Sequence, residues 1–138
     1  MSEKENTELI KGIYDAFGRR DIPALLNSLA DDVGWVIPGQ EDGIPYAGTY
    51  HGKESVAQFF TLLAENVDYD LLEPREFVAQ EDCVAVFGRY EGRVKPSGNA
   101  VKCEWAMRWT IKDGKPTHFA SMRIRLGWWP LTPCAKGF

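Results

Sequence analysis

The chain has 138 residues, 44% hydrophobic and 26% charged, with a net charge of −4, which suits one soluble domain with one core. That acidic balance, with no basic run longer than the Arg19-Arg20 pair, argues against nucleic acid as a partner. No apolar stretch approaches the roughly 18 residues of a membrane span, and Met1-Ser2-Glu3-Lys4-Glu5 does not read as a leader. The 3 cysteines and 2 histidines lack metal-ligand spacing, so neither a disulfide framework nor a metal or other cofactor is expected, and the cytoplasm is the expected compartment.

Ile10, Ile13, Tyr14 and Phe17 fall on one face of a first helix that stops near Gly18. Asp21 is placed to cap a second helix, with Pro23 in its first turn and Leu25, Leu26 and Leu29 on its buried side. Val33–Ile37 reads as a short strand closed by Pro38-Gly39. Gly43, Pro45 and Gly48 make residues 40–50 a loop. Val56, Phe59, Phe60 and Leu63 stripe a third helix. Four strands follow, at about 67–80, 83–94, 100–112 and 115–126, with Pro96-Ser97-Gly98-Asn99 and Asp113-Gly114 as hairpin turns.

The order of helices, lone strand, loop, long helix and strand run, with Arg19-Arg20-Asp21, Ala30-Asp31-Asp32-Val33-Gly34-Trp35 and His51-Gly52-Lys53, resembles the nuclear-transport-factor-2-like superfamily. Within it, the chain is similar to the SnoaL-like polyketide cyclase and ketosteroid isomerase group. The resemblance covers nearly all of residues 6–121. It implies an α+β fold: a cone-shaped barrel with three N-terminal helices packed on a curved, mostly antiparallel sheet. Residues 1–138 then form a single domain with an atypical tail over 122–138.

The resemblance also says where chemistry would stand. The isomerase base position, before Pro38, is Ile37. The tyrosine of its oxyanion hole falls on Ile13 and the aspartate on Met107. None of these can supply general-base or oxyanion stabilisation. The cyclase pattern uses an acid–base group on the last strand, where His118 is the candidate, since imidazole titrates near neutrality. Alternation places Trp105, Met107 and Trp109 on one face of their strand. With Tyr14, Phe17, Trp35, Tyr46 and Phe59 they would line an apolar, aromatic pocket. The reading put first is binding of a small hydrophobic molecule. The alternatives are an isomerase- or cyclase-type enzyme on a small carbonyl compound, with His118 as acid–base, and a structural protein whose interior is filled by its own side chains. The strand at 83–94 is partly apolar on both faces, which implies a homodimer through the sheet, with Glu104, Arg108 and Arg123 as interfacial ion pairs.

After Ser121 the resemblance stops. Related chains close with Asp-Thr-Ala and a short apolar helix, whereas this one carries Trp128-Trp129-Pro130 and Pro133-Cys134. Back-translation from the third base of the Met122 codon permits Ala-Asp-Thr-Ala-Gly-Leu-Val-Ala-Ala-Tyr. A frameshift near Met122 is therefore the expected origin of the tail, and sequencing the gene for that alternative frame tests it.

Overall fold

The computed structural model describes residues 2–39 and 43–123. Helix α1 (Glu3–Gly18) starts on a capping box: Ser2 Oγ accepts the Glu5 N–H at 3.1 Å, and the Glu5 carboxylate accepts the Ser2 N–H at 3.4 Å. It ends in a Schellman corner. The Asp21 N–H donates to Ala16 O, the Arg20 N–H donates to Phe17 O, and Arg20 turns left-handed at φ 60°. Asp21 then caps α2 (Ile22–Asn27) by accepting the Ala24 N–H at 3.2 Å. One residue thus closes the first helix and opens the second, which fixes α1 against α2.

Strands β1 (Gly34–Ile37) and β2 (Gly48–His51) come next, then α3 (Lys53–Asn66). Strands β3 (Val67–Gln80), β4 (Cys83–Val94), β5 (Ala100–Lys112) and β6 (Lys115–Arg123) complete the described chain. The sheet runs in the order β2-β1-β6-β5-β4-β3. All neighbours are antiparallel except β1 and β6, which pair in parallel with Trp35 opposite Phe119. The core lies between the helices and the inner sheet face, where Ile10, Leu29, Val33, Val56, Val84 and Val86 are fully buried.

Two features of the expected fold are corrected. The sheet is mixed and open, not a closed barrel or cone: β2 and β3 are its two free edges. Helix α3 runs from the end of β2 to the start of β3, its 14 residues spanning about 21 Å, and no ladder joins those two edges. Nor do three helices precede the sheet. Only α1 and α2 do: β1 and β2 both come before α3, and β2 takes in residues 48–50, read as loop, which pair with β1. Glycine and proline punctuation concealed a strand whose partner is held in register by a ladder, not by its own alternation. The tail beyond residue 123, with Trp128 and Trp129, lies outside the described residues.

Curvature comes from β3. Its register slips between Tyr69 and Leu71 and again between Pro74 and Glu76. Facing these irregularities on β4 are Gly92 and Gly88, where any Cβ would meet the backbone of β3. Bulges increase local twist and bend a strand, and side-chain-free partners let the bent strand approach. The inner face of the sheet is concave as a result.

Candidate functional site

The concave face and the helices border a partly open cavity of about 140 Å³. Helix α1 contributes Ile13, Tyr14 and Phe17 to its wall, and α3 contributes Phe59, Phe60 and Leu63. Alternation brings Trp35 and Ile37 in from β1, and Trp105, Met107 and Trp109 in from β5. Tyr46 reaches it from the segment before β2, where the Tyr50 hydroxyl donates to the Tyr46 carbonyl at 2.8 Å. All eight side chains read from the sequence as pocket wall are brought together here. The three positions that the resemblance linked to isomerase chemistry, Ile13, Ile37 and Met107, also face the cavity, and all are apolar.

The rings interlock. Tyr14 stacks on Trp105 with centroids 5.6 Å apart and planes at 16°, and meets Trp109 edge-on at 6.0 Å. Trp35 stacks on Phe119 at 4.0 Å and meets Trp109 edge-on at 5.6 Å. Such offset and edge-on pairs add to the energy of burial and hold each ring in one orientation.

The Tyr14 hydroxyl accepts the Trp109 indole N–H at 3.1 Å and donates to Met107 Sδ at 2.9 Å. Burial holds the Tyr14 phenol far above the usual tyrosine range, with the Trp109 hydrogen bond pulling the other way. Tyr69 is raised as well, by burial first and then by the neighbouring Tyr46 and Tyr90 phenols. At neutral pH these groups are neutral donors. The indole N–H groups of Trp35 and Trp105 are buried and have no hydrogen-bond partner among the described residues. Among the described wall residues the one charged side chain is Glu104, which is exposed, and there is no histidine, lysine or arginine. The arrangement can enclose an apolar molecule and offer it hydrogen-bond donors. Within that same set of residues it contains no buried group poised to take a proton.

His118 stands elsewhere. It is exposed, opposite Thr110 on β5 and Gly34 on β1, while its neighbour Phe119 faces the cavity. A methyl on Gly34 would come 3.1 Å from the imidazole Cδ2, so the ring lies over the outer surface of β1. His51 is exposed at the end of β2, and Asp31 pairs with Lys53 at 3.3 Å on the surface. Among the described residues no cluster of histidine, cysteine and carboxylate side chains is arranged to hold a metal.

Tyr69 and Tyr90 are among the wall residues that were not singled out from sequence. Tyr90 shares the inward parity of Val84 and Val86, a signal that was present. Tyr69 sits at a register slip, where alternation fails as a guide.

The profile of the SnoaL-like domain family matches residues 10–119. Among solved structures, an NTF2-like protein from Burkholderia xenovorans LB400 is 35% identical over 88% of this chain and 91% of its own, with a TM-score of 0.79. An NTF2-like protein of unknown function from Burkholderia pseudomallei K96243 is 26% identical over 90% of this chain and 92% of its own, with a TM-score of 0.80. TerC, co-crystallised with polyporic acid, is 30% identical over 87% of this chain and 92% of its own, with a TM-score of 0.77. No curated protein matches the chain.

Proposed function

The chain belongs to the SnoaL-like family of NTF2-like domains, and from that premise we propose that it binds a small hydrophobic molecule in its aromatic pocket. The observation that carries this reading is the pocket of about 140 Å³ walled by aromatic and aliphatic side chains, the character of small-ligand sites. TerC, a 30% identical relative, was crystallised with polyporic acid, which supports a small-molecule role for the pocket here. Tyr14, Phe17, Trp35, Tyr46, Phe59, Trp105, Met107 and Trp109 are the residues assigned to the ligand. We treat residues 10–119 as the core of one domain that takes in the whole chain.

Titration of tryptophan fluorescence with ring-sized aromatic compounds tests the assignment. Saturable quenching that disappears in Met107→Trp, which fills the cavity, is expected. Quenching that is unsaturable, or that survives the filling substitution, would end the binding reading. The enzyme alternative needs His118 to reach the ligand. Its exposed place behind Phe119 favours binding without acid–base catalysis, and turnover of a carbonyl compound lost in His118→Ala would reverse that preference.

Pairing of two copies through the sheet is part of the proposal. The outer face carries a cross-strand row of Phe87, Ala106 and Met122, with Val78 nearby. Phe87 is 38% exposed, Met122 45% and Val78 54%, a patch that a second copy would cover. Arg108 is exposed at the same face, beside Ala85 and Ala120, where it could join an intersubunit ion pair. On composition we also assign cytoplasmic residence and no nucleic-acid partner. Among the described residues no helix is long and apolar enough to cross a membrane.

A further inference from the structure

We propose that Trp35 and Trp105 are the polar anchors of the pocket, donating their indole N–H groups to the carbonyl-type acceptor of an uncharged, ring-sized ligand. This rests on the pocket being a ligand site. It adds which atoms select the ligand and what chemistry they select.

The donors come first. Three tryptophans line the pocket, and all are almost completely buried: Trp35 is 3% exposed, Trp105 4% and Trp109 2%. Trp109 donates to the Tyr14 hydroxyl, so its N–H is accounted for within the protein. Those of Trp35 and Trp105 have no partner among the described residues. Buried donors without partners are rare in native proteins because each forfeits its hydrogen bond to water. Two such donors on residues of one cavity wall, in a chain that satisfies the third, are groups that an entering acceptor would engage by parting the side chains that cover them. The Tyr14 hydroxyl does not serve them: its oxygen is taken by Trp109, and its proton is already directed at the Met107 sulfur.

Charge and size narrow the ligand. An ionised carboxylate buried here would find no cation among the described wall residues and would lie in the field of Glu104, so a neutral acceptor is favoured. A cavity of about 140 Å³ is close to the roughly 150 Å³ apolar cavity that holds benzene. One ring with a short substituent fits inside. A ketone, aldehyde or quinone oxygen supplies the acceptor without charge.

The test pairs acetophenone with α-methylstyrene, which has nearly the same shape but a methylene in place of the carbonyl oxygen. Calorimetric titration of the full-length protein is expected to show acetophenone binding roughly tenfold more tightly, the scale of one satisfied buried donor. The preference should vanish in the Trp35→Phe/Trp105→Phe double variant, and each single variant identifies the indole that holds the oxygen. Equal binding of both compounds to the unaltered protein, or a preference that survives the double variant, would overturn the anchor assignment while leaving the binding reading intact. Binding of neither compound would remove the binding reading itself. Nitrogen-15 correlation spectra of the unaltered protein give an answer that does not depend on the variants folding: acetophenone should move the indole N–H proton of Trp35 or Trp105 further downfield than α-methylstyrene does, since ring currents are common to both and only the ketone accepts a hydrogen bond. Indole protons moved no further downfield by acetophenone than by α-methylstyrene would also overturn the assignment.

Discussion

Gly88 lies cross-strand from Trp105, and the side chain missing from the one is the space taken by the ring of the other. A methyl on Gly88 would come 2.5 Å from Trp105 Cζ2, with the Glu73 carbonyl closer still. Backbone on one side and an indole on the other leave no flexible end to give way. Gly88→Ala is therefore expected to destabilise the fold by about 1–3 kcal/mol, as overpacked sites do. Urea unfolding measures it. An unchanged midpoint would mean that β3 and Trp105 shift freely.

The hydrogen-bonded set of Trp109, Tyr14 and Met107 is unequal in strength. Tyr14→Phe removes the acceptor for a buried indole N–H and should cost about 1–3 kcal/mol. Met107→Leu removes only a thioether acceptor and nearly conserves volume, so it should cost less than about 1.5 kcal/mol. Chemical denaturation of the two variants side by side checks the ranking. A larger loss in Met107→Leu would contradict it.

Alkaline pH should weaken the protein through the same tyrosines. The folded state raises the Tyr14 and Tyr69 phenols above the ordinary value near 10, so between the unfolded and folded values the native state binds more protons. Their contribution is fully present below about pH 10 and is lost as pH rises toward the folded values. Unfolding free energy should be flat from pH 8 to 9 and fall above about pH 10, less steeply in Tyr69→Phe. A slope unaltered by Tyr69→Phe would show that Tyr69 does not carry it.

Arg20 holds a left-handed backbone at the corner between α1 and α2, with φ 60°, and is exposed. Glycine adopts that conformation without the Cβ clash, at some cost in unfolded-chain entropy. Arg20→Gly should therefore raise stability by about 0.5–1 kcal/mol, seen as a higher melting temperature. A lower one would assign Arg20 a contact that outweighs its backbone strain.

If two copies meet through the sheet, Phe87→Glu should convert a dimer to a monomer in light scattering without lowering ligand affinity, because Phe87 is not a wall residue. A monomeric unaltered protein would remove the pairing proposal.

Much of the scaffold was legible because its signals are local. Helical periodicity marked α1 and α3, Asp21 marked a cap, and Asp113-Gly114 marked the β5–β6 hairpin. Those turns also bracketed β3, β4 and β5 within their observed limits. What escaped was set by distance in sequence. β2 is a strand only because β1 is beside it, and the parallel pairing of β1 with β6 joins residues separated by most of the domain. The open sheet was hidden for a similar reason: which strands are left as edges is set by pairings between segments far apart in the chain. In the pocket, alternation exposed Trp105, Met107 and Trp109, whereas Tyr69 was masked by a slip that only its partner strand reveals. Nor can a sequence show which indole N–H groups lack an acceptor, since that depends on the position of every neighbour.

The helix between the two sheet edges has one more consequence. Side chains on a strand are tied to a ladder, so a change in one that needs a shift of backbone disturbs its neighbours' hydrogen bonds. Phe59, Phe60 and Leu63 project into the cavity from α3, a helix whose ladder of backbone hydrogen bonds runs along its own axis and not to a strand. That wall can be resized residue by residue while the sheet keeps its register. A lineage built this way can change its cargo by editing three positions on one helix, and an engineer can do the same.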